Sequence, residues 1–96
     1  MSKDLFVSAL LDVYGEFLSE KQRDIVSFYF DDDLSLSEIA ENEGITRQGV
    51  SDTVNRAKAQ LYRLEEHYGY CKKFLRLKEL AKEKDINEIY SIIETL

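Results

Sequence analysis

Between positions 46 and 58 the sequence reads TRQGVSDTVNRAK. Thr46, Arg47, Gln48, Ser51, Asp52 and Asn55 fall where an exposed helical face would carry them, with Arg56 and Lys58 beside them. Such side chains can read nucleobases. Arginine pairs bidentately with guanine, glutamine and asparagine pair with adenine, and a carboxylate accepts from the cytosine amino group. Asp52 is therefore compatible with base contact by hydrogen bonding, although nearby phosphates would repel it. A solvated polar face is the competing reading of each residue.

Other candidate chemistries are thinner. Asp31-Asp32-Asp33 lacks the alternating ligand positions and helper glycine of a calcium loop, and reads as acids set before a helix start. His67 and Cys71, the only histidine and cysteine, stand four apart and could make half of a zinc site, but no second pair exists. No nucleophile–base–oxyanion set and no glycine-rich phosphate loop is present. The expectation is a protein without catalytic residues, metal or cofactor.

The elements that position the polar run are legible as helices. Leu5, Phe6, Ala9, Leu10, Val13, Tyr14 and Phe17 recur at helical spacing over residues 3–17. Ser19 with Gln22, Ser35 with Glu38, and Asp85 with Glu88 each form a capping box, in which two side chains satisfy backbone N–H groups at a helix start. These predict helices opening at Ser19, at Leu36 (to about Asn42) and at Ile86. Thr46 caps a fourth helix, whose stripe Val50, Val54, Ala57, Leu61, Leu64 and Tyr68 runs on to Gly69. Phe74, Leu77, Leu80 and Ala81 mark a fifth, and Ile86, Ile89, Tyr90, Ile92, Ile93 and Leu96 a last.

Two of these helices meet in a specific way. Ala40 is small where two helices would touch, and Gly44, four residues on, suits a left-handed turn. Ile45 then turns inward, and Val50 and Val54 pin the second helix to the first. That is the spacing of a helix-turn-helix.

Composition agrees with an all-α chain. Among 96 residues there is no proline and there are only four glycines, with 44% hydrophobic content. One cysteine and no long uncharged apolar run predict a cytoplasmic chain without membrane insertion. The formal net charge of -6 is unevenly spread. Residues 1–44 hold 11 acids and 3 bases, residues 45–82 hold 9 bases and 4 acids, and residues 83–96 hold 4 acids and 1 base. A polyanion would be drawn to the middle block alone.

Residues 18–61, LSEKQRDIVSFYFDDDLSLSEIAENEGITRQGVSDTVNRAKAQL, resemble region four of bacterial sigma factors, with a departure at Asp52, where sigma factors usually carry a base. Over nearly the whole chain, LSEKQ, FYFDDDLSLSEIAE and GITRQGVSD resemble the YlxM-type family of small, stand-alone, sigma-region-four-like proteins. The resemblance implies an all-α, sigma-region-four-like helix-turn-helix bundle with extra carboxy-terminal helices. It also implies a reading role for Gln48, Ser51, Asp52 and Asn55. Finally, it implies an accessory or regulator of the signal recognition particle pathway, with the particle's RNA, its GTPase or both as partners.

Two other functions stay open: a DNA-binding transcriptional regulator with helix 46–58 in the major groove, and a protein-interaction module on a helix-turn-helix scaffold. Residues 1–68 would form the helix-turn-helix domain with its long fourth helix, and residues 69–96 a helical arm, within one compact domain overall. The stripe from Ala57 to Tyr68, together with the Ile86–Leu96 segment, predicts a homodimer through the carboxy-terminal helices.

Overall fold

Local hydrogen-bond chemistry sets where the helices begin. A computed structural model describes residues 3–96, with six α-helices and no strand among them. They are α1 (Phe6–Tyr14), α2 (Glu20–Phe30), α3 (Leu36–Glu43), α4 (Arg47–Tyr68), α5 (Tyr70–Glu83) and α6 (Ile86–Ile93), with a 3-10 turn over Gly15–Phe17 after α1. Ser19 and Ser35 are complete capping boxes, each hydroxyl accepting from the N3 amide while the N3 side chain accepts from the cap. Thr46 Oγ1 accepts from Gly49 N at 2.9 Å. At α6 only half the box forms: Asp85 accepts from Glu88 N, whereas the Glu88 carboxylate is taken by Arg76.

The core lies where α1, α2, α3 and the first two-thirds of α4 converge, built from Val7, Leu10, Leu11, Tyr14, Ile25, Val26, Ile39, Val50, Val54, Ala57 and Leu61 among others. Three expectations about helix faces are corrected. In the first helix, Leu5 is 79% exposed and Phe17 59% exposed, while Val7 and Leu11 hold the core side. Spacings of three and four fit two overlapping registers, and the α-helix ends at Tyr14, so the 3-10 turn carries Leu18 rather than Phe17 inward. On α4 the buried series is Val50, Val54, Ala57, Leu61, then Glu65; Leu64 is half-buried and Tyr68 exposed. A straight helix drifts against a 3.5-residue stripe, and after four turns the inward position has moved to the next residue. Ala57 and Leu61 consequently belong to the core of a single copy, not to a dimer surface. On α5, Leu80 is buried but Phe74 and Ala81 are exposed.

The acidic triplet occupies the α2–α3 connection. Asp33 takes a left-handed backbone (φ 54°) and its carboxylate pairs with Lys3 Nζ at 3.1 Å. Lys3 also donates to the carbonyls of Tyr29 and Leu34, tying the chain's start to the end of α2. Among the described residues, no helix is long and apolar enough to cross a membrane.

Candidate nucleic-acid interface

The α3–α4 unit is assembled by the turn. Gly44 sits at φ +67°, a left-handed conformation strained for residues with a Cβ. The Ala40 carbonyl accepts from both Gly44 N and Ile45 N, which closes the end of α3 and aims the chain into α4. Ala40 is buried at the helix crossing, Val50 is buried on the core side of α4, and Ile45 packs half-buried against the same core. Four residues chosen from spacing alone thus meet in one helix-turn-helix.

On the other side of α4, Thr46, Arg47, Gln48, Asp52, Asn55 and Arg56 are exposed, and Ser51 is half-buried. The first of these is engaged as the helix cap. Gln48 Nε2 donates to Asp52 Oδ1 at 2.9 Å, one helical turn along. This hydrogen bond holds the carboxylate against a neutral amide, so Asp52 and Gln48 present themselves to solvent as a unit. One amide hydrogen and the carbonyl of Gln48 stay available for an incoming acceptor or donor. Ser51, Asn55 and Lys58 border a cleft of about 340 Å³ whose floor includes Tyr29, Phe30 and Leu36. Lys58 leans across it to Asp4, 3.6 Å away, and is half-buried. It lies at the edge of the surface that Arg47 and Arg56 occupy.

The positive charge of the middle block is also sorted. Arg76 pairs with Glu79 and Glu88, and Lys73 Nζ donates to the Thr95 carbonyl. Arg47, Arg56 and Arg63 have no carboxylate within 4 Å among the described residues, which leaves their charge facing solvent along α4.

Residues 1–95 match the family described as "helix-turn-helix protein, YlxM / p13 like" (UPF0122). The chain belongs to this family. A UPF0122 protein of Acetivibrio thermocellus is 45% identical over 91 residues, covering 93% of this chain and 78% of the relative. One of Clostridium botulinum is 36% identical over 88 residues, covering 90% and 81%. One of a Thermoanaerobacter species is 38% identical over 103 residues, covering 96% and 88%.

Two polar clusters behind the interface of this YlxM / p13-like chain escaped sequence reasoning. The larger centres on Glu65, only 6% exposed. Its Oε1 accepts from the Tyr14 hydroxyl (2.7 Å) and Cys71 N (3.0 Å), and its Oε2 from Lys72 N (2.9 Å); the Tyr14 oxygen in turn accepts from Tyr70 N (3.1 Å). The N-cap position of α5 is Gly69, which has no side chain to offer, so Glu65 caps α5 from the previous helix. The left-handed Gly69 turn also separates His67 from Cys71: the histidine is exposed on α4 while the cysteine is buried on α5, and they share no face. Burial pushes the Cys71 thiol above its usual range, with the Glu65 charge adding to it. Nothing in the sequence pointed to Glu65, because the expected apolar stripe of this helix ran through Leu64 instead.

The smaller cluster joins Tyr62 to Asp4, whose other oxygen accepts from Phe6 N at 3.0 Å and opens α1. The Tyr62 hydrogen bond is the main reason the Asp4 carboxyl stays below its usual range. In return that hydrogen bond, with burial, pushes the Tyr62 hydroxyl up to about 12. Burial, then the Glu65 carboxylate, pushes Tyr14 up to about 12 as well. A tyrosine pKa raised on folding stabilises fully below its ordinary value near 10, and that stability is lost as pH rises through 12, because the unfolded chain ionises first. The expected result is a thermal midpoint that falls steeply between pH 10 and 12. Replacing Tyr14 and Tyr62 by phenylalanine removes most of that slope; a double variant with the same alkaline slope would contradict the assignment.

Proposed function

We propose that the chain binds nucleic acid through the amino-terminal half of α4, as an accessory of the signal recognition particle pathway. The observation that carries the binding reading is the helix-turn-helix itself. Its second helix buries Val50 and Val54, while Arg47, Gln48, Asp52, Asn55 and Arg56 face solvent with nothing packed over them. Arginines 47, 56 and 63 would neutralise phosphates, and the Gln48–Asp52 unit with Asn55 would meet base edges. The hydrogen bond from Gln48 satisfies part of the Asp52 carboxylate, though its charge still opposes phosphate approach. The assignment to the pathway, with the particle's RNA as ligand and its GTPase as a further partner, rests on the YlxM-type resemblance.

Titrations of the full chain with duplex DNA and with the particle RNA, across a range of salt, test this. Strongly salt-dependent binding to the RNA is the expected result. Binding to duplex DNA alone would make the chain a transcriptional regulator. Binding to neither would leave a protein-interaction module. Arg47→Ala with Gln48→Ala is expected to weaken binding by roughly 1–3 kcal/mol per lost base contact, and an unchanged affinity would remove α4 as the reading element.

A further inference from the structure

The cleft of about 340 Å³ beside α4 is built by four helices at once, from the start of α1, the end of α2, the start of α3 and one side of α4. Its volume is at the small end of the roughly 300–1,000 Å³ of small-molecule sites, room for one flat ring system and not for a helix. The floor is apolar: Tyr29, Phe30 and Val54 are buried, and Leu36 stands half-buried on the wall. The rim on α4 is Ser51, Asn55 and Lys58, at i, i+4 and i+7. The cleft therefore opens along the edge of the surface proposed above to meet nucleic acid.

The polar groups at its mouth differ in how far the fold has already used them. Lys3 Nζ donates to the Tyr29 and Leu34 carbonyls at 2.8 Å each, pairs with Asp33 at 3.1 Å and sits 3.9 Å above the Tyr29 ring. All of its donors are engaged, which makes it a fixed wall. Lys58 is different. Among the described residues its one carboxylate neighbour is Asp4, 3.6 Å away and beyond hydrogen-bond range, and 39% of its side chain is exposed. Asp4 accepts from Phe6 N and from the Tyr62 hydroxyl, yet a carboxylate offers about four lone pairs, so it can accept again. The Tyr62 hydrogen bond keeps its carboxyl below the usual range, and at neutral pH it accepts without donating.

An apolar floor, a lone acceptor and a mobile cation together describe a ligand with a flat apolar face, an amino edge and an anionic tail. A nucleotide has that layout. Adenine, cytosine and guanine each carry an exocyclic amino donor for the Asp4 carboxylate, and uracil carries none. The phosphate would make a charge-assisted contact with the Lys58 ammonium. Asp31 and Asp32 follow directly on Phe30 and would repel a phosphate at that end, so the strand must enter from the α4 side. A paired base keeps its faces in the stack, whereas an unpaired one can turn out of it at small cost.

We propose that the cleft takes one unpaired, amino-bearing nucleotide of the strand lying on α4, with its base on the Tyr29–Phe30–Val54 floor, its amino group at Asp4 and its phosphate at Lys58. This rests on the nucleic-acid reading of α4 and narrows the ligand from a continuous duplex to a helix with an unpaired base beside it.

The test compares RNA hairpins binding to the full chain: one fully paired, one with a single bulged adenosine, one with a bulged uridine and one with an abasic bulge. The bulged adenosine is expected to bind about tenfold tighter than the paired hairpin, and the abasic bulge, which keeps the bent backbone, is expected to lose that gain. Uridine is expected to fall between them, and Asp4→Asn to erase the difference between adenosine and uridine, because an amide can both donate and accept. Leu36→Trp fills the cleft from a residue outside the α4 surface. It is expected to remove the gain while leaving both the affinity for the paired hairpin and the helix content by circular dichroism unchanged. Should that variant misfold, the abasic comparison on the wild-type chain still decides. Equal binding of paired and bulged hairpins would overturn the cleft proposal and leave the reading of α4 standing, as would an abasic bulge as good as adenosine or a folded Leu36→Trp chain that keeps the gain. Uridine equal to adenosine would overturn the role of Asp4. Binding of free adenosine monophosphate as tight as that of the bulged hairpin would overturn the strand assignment and make this a mononucleotide site. Binding of no hairpin at all would overturn the cleft proposal and the nucleic-acid reading together.

Discussion

Glu65→Ala is expected to lower the unfolding free energy by about 3–5 kcal/mol, a large part of the roughly 5–14 kcal/mol available to a chain of this length. The substitution removes the acceptor of three hydrogen bonds, from the Tyr14 hydroxyl and from the amides of Cys71 and Lys72. Each orphaned buried donor costs about 1–3 kcal/mol, with water recovering part of the cost at the half-buried end. The first turn of α5 loses its only side-chain cap, because Gly69 has none to give. In thermal unfolding this corresponds to a midpoint lower by roughly 15–25 °C. Glu65→Gln keeps one acceptor oxygen but sets an amide group against one of the donors, so an intermediate loss is expected. Amide exchange at Cys71 and Lys72 locates the effect, since both should exchange faster well before the core amides do. A Glu65→Ala midpoint within a few degrees of wild type would show that α5 is held by its apolar contacts alone.

Ile39→Ala comes next in size, at about 2–5 kcal/mol. Ile39 is fully buried on α3, among core residues that include Ile25, Val26, Val50 and Val54. Truncation removes the transfer energy of three carbons and leaves a cavity that four converging helices cannot easily close. The consequence reaches the interface. The angle between α3 and α4 rests on this packing and on the Gly44–Ile45 turn, so the side chains on α4 proposed to meet nucleic acid should lose their register along with stability. Urea titration measures the first effect, and a midpoint shift worth less than about 1 kcal/mol would mean that the site collapses around the smaller side chain. Ile45, half-buried at the turn, offers an internal comparison, because less apolar surface leaves water there.

These two positions differ in how far the sequence disclosed them. Ile39 lies in the α3 segment that the Ser35–Glu38 box delimits, so its helix was legible, although its inward place was not read from spacing. Glu65 was not legible at all: a glutamate among Arg63, Leu64 and Glu66 reads as solvent-facing until α1 and α5 are in position. The same holds for Lys58, which sits in a basic run yet leans toward Asp4 across 54 residues of chain.

By itself the sequence determined the all-α class, the starts of α2, α3, α4 and α6, and the turn at Gly44. The reason is that caps and left-handed turns are decided within four or five residues, by which backbone N–H finds which side-chain oxygen and by which residue tolerates a positive φ. It also carried enough of the family's pattern for membership to be recognised. Only the tertiary structure decided which side of α1 is buried, that the inward line of α4 ends on a carboxylate, and that α6 finds too little of its own chain to cover it. Each of those depends on contacts between distant segments, such as the 51-residue separation of Tyr14 and Glu65. Helical periodicity reports that a face is apolar, but the depth to which that face is covered is set by the elements that arrive to pack on it.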